Sequence, residues 1–417
     1  MKIKFGGGDI SGKVSPPPSK SHTHRAFFIS AMADGRSTVQ NSLISEDTVS
    51  TLKACEAIGV SCIEEAGQMF IDGGRIHAPS EPIYAGNSGT TMRIITGICS
   101  LFEEESVITG DGSLSRRPMK PLLDSLERLG VKCGSAGGFP PISVAGPNKG
   151  GQTTTEGNFS SQFTTSLMMC APLAENDTEI TVVGRQVSAP YVDMTADMMR
   201  HFGAFVEKEG KTVRVKGGTG YKPKDVVIPA DLSSAAYPLI AGALGGNVSV
   251  SGLKVSDSGV LLGILENAGA EVSVRENTIT VSRGGHILPL DVDMSDVPDL
   301  FPAVAVLLST AEGTSRLYGA EHLKYKESNR IESTVRMINS LGGDAVETED
   351  GCVIRGKKKL RGGTVDTYGD HRILMSAAAA SVVCSEPVVS EDTNSYSVSY
   401  PSFLSDMERI GLRVSKF

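Results

Sequence analysis

The chain has 417 residues, with 40% hydrophobic and 21% charged residues and a formal net charge of -8 at pH 7; its mean hydropathy is -0.05. This composition excludes a disordered chain, and the length predicts two or three domains. The acidic balance argues against nucleic acid or an anionic membrane as a partner, because both select basic surfaces.

The cysteines and the first residues indicate the compartment. The seven cysteines contain no CxxC pair, so the sequence predicts neither a zinc site nor a disulfide framework. The opening MKIKFGGGDI has no apolar stretch behind its lysines, and no charge-free run of about 18 apolar residues follows. We therefore expect a cytoplasmic protein with reduced thiols.

The first distinctive segment is PPPSKSHTHRAFF at 16–28, where basic side chains are crowded in front of an apolar run. Proline ends the preceding element, and Ser19 or Ser21 can cap a helix. Lys20 and Arg25 should therefore lie at the start of that helix, where free N–H groups and the helix dipole attract anions.

Two kinds of helix alternate along the rest of the chain. The first kind is amphipathic and ends at a glycine suited to the left-handed C′ position, after which β-branched residues restart as a strand. The second kind is apolar nearly all round, which indicates a helix buried in a core. The terminating glycines recur every 66 to 73 residues: Gly59, Gly130, Gly203, Gly269, Gly342 and Gly411. The buried helices are predicted at RAFFISAMA, TMRIITGICSLF, FTTSLMMCAPLA, AAYPLIAGALG, LFPAVAVLLSTA and RILMSAAAASVV.

These repeats predict an α/β protein of six units in two groups of three. The Pro-flanked segment KPKDVVIPADLSS at 222–234 and the prolines at 16–18 are the expected crossings between the groups. We therefore expect one domain of residues 1–18 plus 230–417 and a second of residues 19–229. Two crossings would make a two-strand hinge.

Polar residues stand immediately before each buried helix. The six entries read PSKSHTHR, AGNSGTTMR, EGNFSSQ, ADLSSA, SDVPD and YGDHR. Any one of them is explained by helix capping alone. Together they indicate a ligand site, because glycines allow close backbone approach and Ser160, Ser161 and Gln162 offer hydroxyl and amide groups to a polyhydroxylated, phosphorylated molecule.

Charged residues join these entries. Arginines on the first turns of apolar helices would be buried without a counterion, which a substrate with carboxylate and phosphate groups would supply. The basic residues are Lys20, Arg25, Arg93, Arg116, Arg117, Lys326, Arg330 and Arg372. Asp299, Glu327 and Asp370 can be caps, ion-pair partners or a catalytic base. We expect Lys326, Glu327 and Arg330 on adjacent helical turns, and His371 is either a proton carrier beside Asp370 or a core histidine.

The motifs also carry a resemblance. In order over nearly the whole chain, PSKSHTHRAF, GNSGTTMR, RRPMKPLLDSLERLG, SSQF, DLSSAAY, DVPD, KESNR and TYGDHR resemble the 5-enolpyruvylshikimate-3-phosphate (EPSP) synthase family. The resemblance implies the two-domain enolpyruvyl transferase fold of six βαβαββ-type units. It also implies transfer of the enolpyruvyl group of phosphoenolpyruvate to the 5-hydroxyl of shikimate 3-phosphate, with release of phosphate, in aromatic amino acid biosynthesis. No metal or organic cofactor is implied, and we expect a monomer whose partners are these two small molecules.

The resemblance assigns roles by motif. For shikimate 3-phosphate it implies Lys20, Ser21, Arg25, Ser160, Ser161, Ser188, Tyr191 and Lys326. For phosphoenolpyruvate it implies Lys20, Gly89, Arg117, Gln162, Arg330 and Arg372. Asp299 resembles the family's base on the 5-hydroxyl, Glu327 and Lys20 are candidates for moving the methylene proton, and His371 is a further catalytic candidate.

Three positions depart from the family's pattern. Val398 stands where members commonly have a lysine that helps to bind phosphoenolpyruvate, so we expect a raised Michaelis constant for that substrate. His322 stands where many members have asparagine, at a position expected to contact substrate, and Ala189 stands where lysine is frequent. Lys324 is a candidate to compensate. Gly89 predicts sensitivity to glyphosate, because the absent side chain leaves room for an inhibitor longer than phosphoenolpyruvate.

Two alternative functions stay open at this point. The first is the sister transferase acting on UDP-N-acetylglucosamine, although its reactive cysteine is missing from GDGSLSRRP. The second is a catalytically idle descendant that binds phosphorylated metabolites or scaffolds a neighbouring enzyme. For an active enzyme we expect an open unliganded form that compacts when shikimate 3-phosphate binds.

Overall fold

A computed structural model describes all residues from Met1 to Phe417. The chain divides into two compact units. Unit 1 consists of Met1–Pro18 and Pro229–Phe417, and unit 2 is the continuous segment Ser19–Ile228. No helix in the structure combines the length and apolar character needed to cross a membrane.

Twenty-four short strands form the sheets. They are β1 (Ile3–Gly6), β2 (Ile10–Val14), β3 (Gly35–Gln40), β4 (Ser61–Glu65), β5 (Gln68–Gly73), β6 (Ile83–Tyr84), β7 (Ser106–Thr109), β8 (Lys132–Ala136), β9 (Phe139–Ala145), β10 (Gly151–Glu156), β11 (Thr178–Val183), β12 (Val206–Glu209), β13 (Thr212–Val215), β14 (Asp225–Val227), β15 (Gly246–Ser251), β16 (Glu271–Arg275), β17 (Thr278–Ser282), β18 (Asp291–Asp293), β19 (Thr314–Tyr318), β20 (Ala345–Thr348), β21 (Gly351–Arg355), β22 (Gly363–Thr364), β23 (Val388–Ser390) and β24 (Arg413–Lys416).

Twelve α-helices alternate between buried and half-exposed, which confirms the predicted alternation. The buried helices are α1 (Lys20–Met32), α3 (Gly89–Cys99), α5 (Ser161–Cys170), α7 (Leu232–Gly245), α9 (Phe301–Leu308) and α11 (His371–Ala380). The half-exposed helices are α2 (Glu46–Ala57), α4 (Lys120–Arg128), α6 (Ala189–His201), α8 (Gly259–Asn267), α10 (Arg330–Ser340) and α12 (Phe403–Arg409).

Six four-stranded mixed sheets surround these helices, three in each unit. Unit 2 has the sheets β14-β3-β5-β4, β6-β7-β9-β8 and β10-β11-β13-β12, and unit 1 has β2-β15-β17-β16, β18-β19-β21-β20 and β22-β23-β1-β24. Each sheet has one parallel pair at one edge and antiparallel pairing across the rest. The repeated pattern confirms the predicted six α/β units.

Strands distant in sequence complete both units. In unit 2, β14 pairs in parallel with β3, so the last strand of the segment closes its first sheet. In unit 1, β2 pairs with β15, and β1 lies between β23 and β24. The backbone N–H of Lys2 also donates to the carbonyl of Phe417 at 2.7 Å.

Each unit has its own hydrophobic core, built largely from its three buried helices. The six glycines that end the half-exposed helices all have left-handed φ values between 83° and 99°, as the sequence predicts. Side chains of Ser19, Ser88, Ser160, Asp231 and Asp370 cap the buried helices α1, α3, α5, α7 and α11. All seven cysteines are free thiols.

Candidate active site

The start of α1 carries the first cluster of predicted site residues, in unit 2. The Ser19 side chain accepts from the backbone N–H of His22, so α1 begins at Lys20. Nζ of Lys20 lies 2.7 Å from Oδ2 of Asp47, at the start of α2, and both side chains are largely buried. The sequence analysis missed Asp47, since no local pattern links it to a residue 27 positions away.

Arg25 is a buried cation without a carboxylate partner. Its guanidinium donates to the hydroxyls of Thr195 at 2.8 Å and Thr165 at 3.4 Å, and to the backbone carbonyls of Ser21 and Tyr191. Its side chain also lies over the Tyr191 ring. Burial lowers the pKa of Arg25 to about 10. The group is still charged at neutral pH, so an anion would relieve the cost of burying it.

The start of α3 brings a second pair of guanidinium groups together around Gly89. Nη1 of Arg93 donates to Oε1 of Gln162 at 2.5 Å. Nη2 of Arg117 donates to Oδ1 of Asn87 at 2.6 Å, and its buried Nε has no hydrogen-bond partner. A Cβ at Gly89 would lie 3.0 Å from Nη1 of Arg93 and 3.2 Å from Nη1 of Arg117. The missing side chain therefore leaves the space between two cations open.

The start of α5 adds neutral hydrogen-bonding groups. Ser160 caps the helix by accepting from the backbone N–H of Gln162 at 3.2 Å, and Ser161 is buried. The Gln162 amide is fixed in orientation, because it accepts from Arg93 and donates to the Thr90 hydroxyl at 2.9 Å. Ser188, which precedes α6, has a left-handed φ of 56°, a conformation that costs a non-glycine residue energy.

Arg330 organises the predicted site residues of unit 1. Its side chain is 1% exposed and contacts three carboxylates. Nε lies 2.9 Å from Oδ2 of Asp370, Nη1 lies 3.1 Å from Oδ1 of Asp299, and Nη2 lies 2.5 Å from Oε2 of Glu327. Burial alone would lower the pKa of Arg330, but the three carboxylates raise it above the usual value.

Arg372 shares Asp299 with Arg330. Its Nη2 lies 3.1 Å from Oδ2 of Asp299, and its Nη1 donates to the Asp299 backbone carbonyl at 3.2 Å. Each carboxylate oxygen of Asp299 therefore faces a guanidinium. The charges of Arg372 and Asp299 therefore compensate each other within the unit, although the Asp299 side chain is 22% exposed.

One detail of unit 1 differs from the sequence-based expectation. Lys326 and Glu327 do not lie on helical turns, because the Asn329 side chain caps α10 and the helix begins only at Arg330. Lys326 instead follows the 3₁₀ turn Glu321–Tyr325, which contains the buried His322.

His371 is the first residue of α11 and follows the cap Asp370. Its buried ring has Nδ1 4.0 Å from Oδ1 of Asp370, which is beyond hydrogen-bonding distance. Asp370 is engaged as the α11 cap, receiving the Arg372 backbone N–H at 2.9 Å, and as the partner of Arg330.

The two clusters differ in charge balance. In unit 2, four largely buried cations accompany one carboxylate: Lys20, Arg25, Arg93 and Arg117 with Asp47. In unit 1, two cations contact three carboxylates: Arg330 and Arg372 with Asp299, Glu327 and Asp370. Unit 2 thus offers uncompensated positive charge to an anion, whereas unit 1 offers ion pairs that an anion can compete for.

Three other residues singled out in the sequence lie outside these networks. Arg116 is exposed at the end of the 3₁₀ turn Leu114–Arg116. Nζ of Lys324 donates to the Glu349 backbone carbonyl at 2.7 Å. Val398 ends the 3₁₀ turn Ser395–Val398.

Comparison with known proteins identifies the family. Residues 5–407 match the family model for EPSP synthase (3-phosphoshikimate 1-carboxyvinyltransferase). The chain belongs to the EPSP synthase family. It is 44% identical over 417 residues to the 3-phosphoshikimate 1-carboxyvinyltransferase of Methanocorpusculum labreanum, covering 99% of both chains. It is 41% identical to the enzyme of the same name from Methanothermobacter thermautotrophicus, covering 98% of both chains.

Solved structures agree with this assignment. The chain superposes on the EPSP synthase of Acinetobacter baumannii with a TM-score of 0.86 and 30% sequence identity, covering all of both chains. The predicted α/β enolpyruvyl transferase fold is therefore confirmed. As an EPSP synthase, the protein transfers the enolpyruvyl group of phosphoenolpyruvate to shikimate 3-phosphate, and the two alternative functions left open by the sequence are not supported.

Proposed function

We propose that the cations of unit 2 bind the anionic groups of both substrates. Shikimate 3-phosphate would contact Lys20, Ser21, Arg25, Ser160, Ser161, Ser188 and Tyr191 in this unit. The observation that carries the proposal is the buried Arg25, whose guanidinium has only hydroxyl, carbonyl and aromatic partners. A phosphate would give it the charged partner that the unit does not contain, through charge-assisted hydrogen bonds.

Phosphoenolpyruvate is assigned to the start of α3. Gly89 leaves room there, Arg117 supplies a guanidinium with a free buried Nε, and Gln162 presents a fixed amide. Lys20 would reach the same substrate. From unit 1 we assign Arg330 and Arg372 to phosphoenolpyruvate, and Lys326 and His322 to shikimate 3-phosphate.

Asp299 is the proposed base on the 5-hydroxyl. While both of its oxygens face guanidinium groups, the carboxylate accepts a proton poorly. When phosphoenolpyruvate recruits Arg330 and Arg372, Asp299 loses these partners and becomes the stronger base. Substrate binding thereby prepares the carboxylate for its role.

The reaction then proceeds by addition and elimination. The 5-oxygen, losing its proton to Asp299, bonds to C2 of phosphoenolpyruvate while C3 gains a proton, which gives a tetrahedral intermediate. The intermediate loses a proton from C3 and phosphate from C2, which restores the double bond. Glu327 and Lys20 are the candidates for moving the C3 proton, and His371 is a less favoured one because of its buried ring. Arginine side chains stabilise the charge on the departing phosphate.

A phosphate-release assay with both substrates tests the assignment. We expect Asp299→Asn to lower kcat by about 10²- to 10⁴-fold, the range for loss of a general base. Calorimetric titration should show that this variant still binds shikimate 3-phosphate. The matched control is Asp291→Asn, an exposed carboxylate in β18, which should retain full turnover. An Asp299→Asn variant with wild-type kcat would contradict the proposed base.

We also infer a cytoplasmic, monomeric enzyme. The inference is supported by the free thiols and the acidic composition. Sedimentation at micromolar concentration measures the oligomeric state.

A further inference from the structure

A chain of buried side chains links the first three helices of unit 2. Nδ1 of His24 on α1 lies 2.6 Å from the Thr51 hydroxyl on α2, which lies 2.7 Å from the Thr91 hydroxyl on α3. The Thr91 hydroxyl donates to Oγ of Ser88, the cap of α3, at 2.8 Å. His24, Thr51 and Thr91 are fully buried and Ser88 is 1% exposed. Apart from the Ser88 cap, these residues lie outside the proposed substrate contacts.

The number of available protons decides which group donates in each of these hydrogen bonds. Thr91 has one hydroxyl proton, and its acceptors are Oγ of Ser88 and, at 3.4 Å, the Asp47 carbonyl. The contact between Thr51 and Thr91 must therefore use the Thr51 proton. Because the Thr51 hydroxyl already donates its proton to Thr91, it must accept in its contact with His24, and Nδ1 of His24 is the donor. The chain runs from His24 through Thr51 and Thr91 to Ser88.

The other ring nitrogen of His24 agrees with this direction. Nε2 is buried and has no hydrogen-bond partner. With the proton on Nδ1, Nε2 is a bare lone pair, which is tolerated better in a core than an N–H group without an acceptor. Burial also lowers the pKa of His24 to about 3 in spite of the nearby Asp47, and the charges of Lys20 and Arg25 add to that effect. The imidazole is neutral at physiological pH and is a fixed donor.

The row of hydrogen bonds ends at Ser88, next to the proposed position of phosphoenolpyruvate. Ser88 accepts both the hydroxyl proton and, at 3.2 Å, the backbone N–H of Thr91, so both contacts fix the first turn of α3. The next residue is Gly89, between the guanidiniums of Arg93 and Arg117. The network also touches the Asp47 backbone, and the Asp47 carboxylate holds Lys20.

We propose that His24 is a positioning residue for phosphoenolpyruvate, which it serves by holding the start of α3 in place through Thr51, Thr91 and Ser88. The inference rests on the proposed assignment of phosphoenolpyruvate to Gly89. It gives a buried histidine outside direct substrate contact a role in substrate affinity.

The direction of the chain is tested first, in the protein without substrate. Nitrogen-15 NMR of the histidine side chains, with His24→Asn to assign the resonances, should show His24 as the neutral Nδ1–H tautomer between pH 5 and 8. A neutral Nε2–H tautomer, or a protonated ring in that range, overturns the inference.

Kinetics test the role. We expect His24→Leu and Ser88→Ala each to raise KM for phosphoenolpyruvate about fivefold to tenfold, with KM for shikimate 3-phosphate changed less than twofold. Combining the two changes should raise KM no further, because both interrupt one chain. His24→Asn should restore the wild-type value, since its amide N–H₂ can replace the Nδ1–H donor. Thr51→Val interrupts the same chain with little change in volume and serves if His24→Leu does not fold.

A matched control separates this role from general stability. Thr164→Val alters a buried threonine of α5 whose hydroxyl has no partner, and KM should not change. Wild-type KM in His24→Leu beside a raised KM in Ser88→Ala overturns the inference and leaves the proposed function intact. Wild-type KM in both Ser88→Ala and Gly89→Ala contradicts the assignment of phosphoenolpyruvate and, with it, the inference.

Discussion

At the residue scale, the site depends on which charges are compensated. Arg25 and Arg117 are buried with neutral partners, whereas Arg330 contacts three carboxylates. The first arrangement favours an added anion, because burying an uncompensated cation is costly. The second keeps its charges neutral within the unit, and in the proposed site a substrate would compete for the guanidinium. The arginines proposed to bind substrate are thus compensated in two different ways.

Gly89 gives the prediction at this scale. In Gly89→Ala the new methyl group would enter the space between Arg93 and Arg117. The flexible guanidiniums can move aside, so we expect normal folding but a KM for phosphoenolpyruvate raised about tenfold, equivalent to about 1.4 kcal/mol. Inhibition by glyphosate should weaken more than turnover, because the longer inhibitor needs that space more. Gly112→Ala, whose Cβ would contact nothing within 4 Å, is the control. Equal losses of inhibition and turnover would refute the expectation.

At the element scale, one local rule is repeated six times. Each half-exposed helix ends at a glycine with left-handed φ, and the chain then enters a strand. Glycine adopts this conformation without the steric cost that a Cβ brings. At Gly130 a Cβ would contact nothing within 4 Å, whereas at Gly59 it would lie 2.4 Å from the His77 ring. The two positions therefore separate backbone strain from steric conflict.

Alanine at these glycines provides the corresponding prediction. Gly130→Ala should reduce the free energy of unfolding by about 1–2 kcal/mol through backbone strain alone. Gly59→Ala should cost more, because the His77 ring must also move. Gly259→Ala, at the first position of α8 with ordinary φ and no neighbour within 4 Å, should be neutral or slightly stabilising. Urea denaturation measures the stability of all three variants. Equal midpoints for Gly130→Ala and Gly259→Ala would show that alanine in the left-handed conformation at position 130 costs no stability.

Elements were predictable from sequence because their causes are local. Apolar periodicity and terminating glycines predicted all six pairs of helices, and Ser19 was recognised as a cap candidate. The predicted helical placement of Lys326 and Glu327 was wrong, because the cap at Asn329 delays the start of α10. The pairing of Lys20 with Asp47, and the links from His24 to Ser88, join residues far apart in sequence. Such pairings depend on how helices pack, which a single sequence does not reveal.

At the scale of the whole molecule, the units differ in how the chain builds them. Unit 2 is continuous, has its own core, and closes its first sheet with its own β14. Unit 1 is assembled from both ends of the chain. We propose that these units correspond to domains of residues 19–229 and 1–18 plus 230–417.

The continuous unit should fold alone. A fragment of residues 19–228 contains every strand of its three sheets, so we expect a cooperative thermal transition and dispersed amide resonances. Shortening it to residues 19–223 removes β14 and the fully buried Ile228 and leaves an edge of β3 unpaired. That shorter fragment should melt at a lower temperature. A 19–228 fragment without a sigmoidal melting curve would disprove the autonomy of this unit.

The position of β1 has a consequence for biosynthesis. Its two neighbours, β23 and β24, are translated after all the strands of unit 2. β1 must therefore stay unpaired while unit 2 is translated, and unit 2 can mature beforehand. The sheet that contains β1 forms only once β23 and β24 have been made, so unit 1 reaches its native topology after unit 2 has all of its strands.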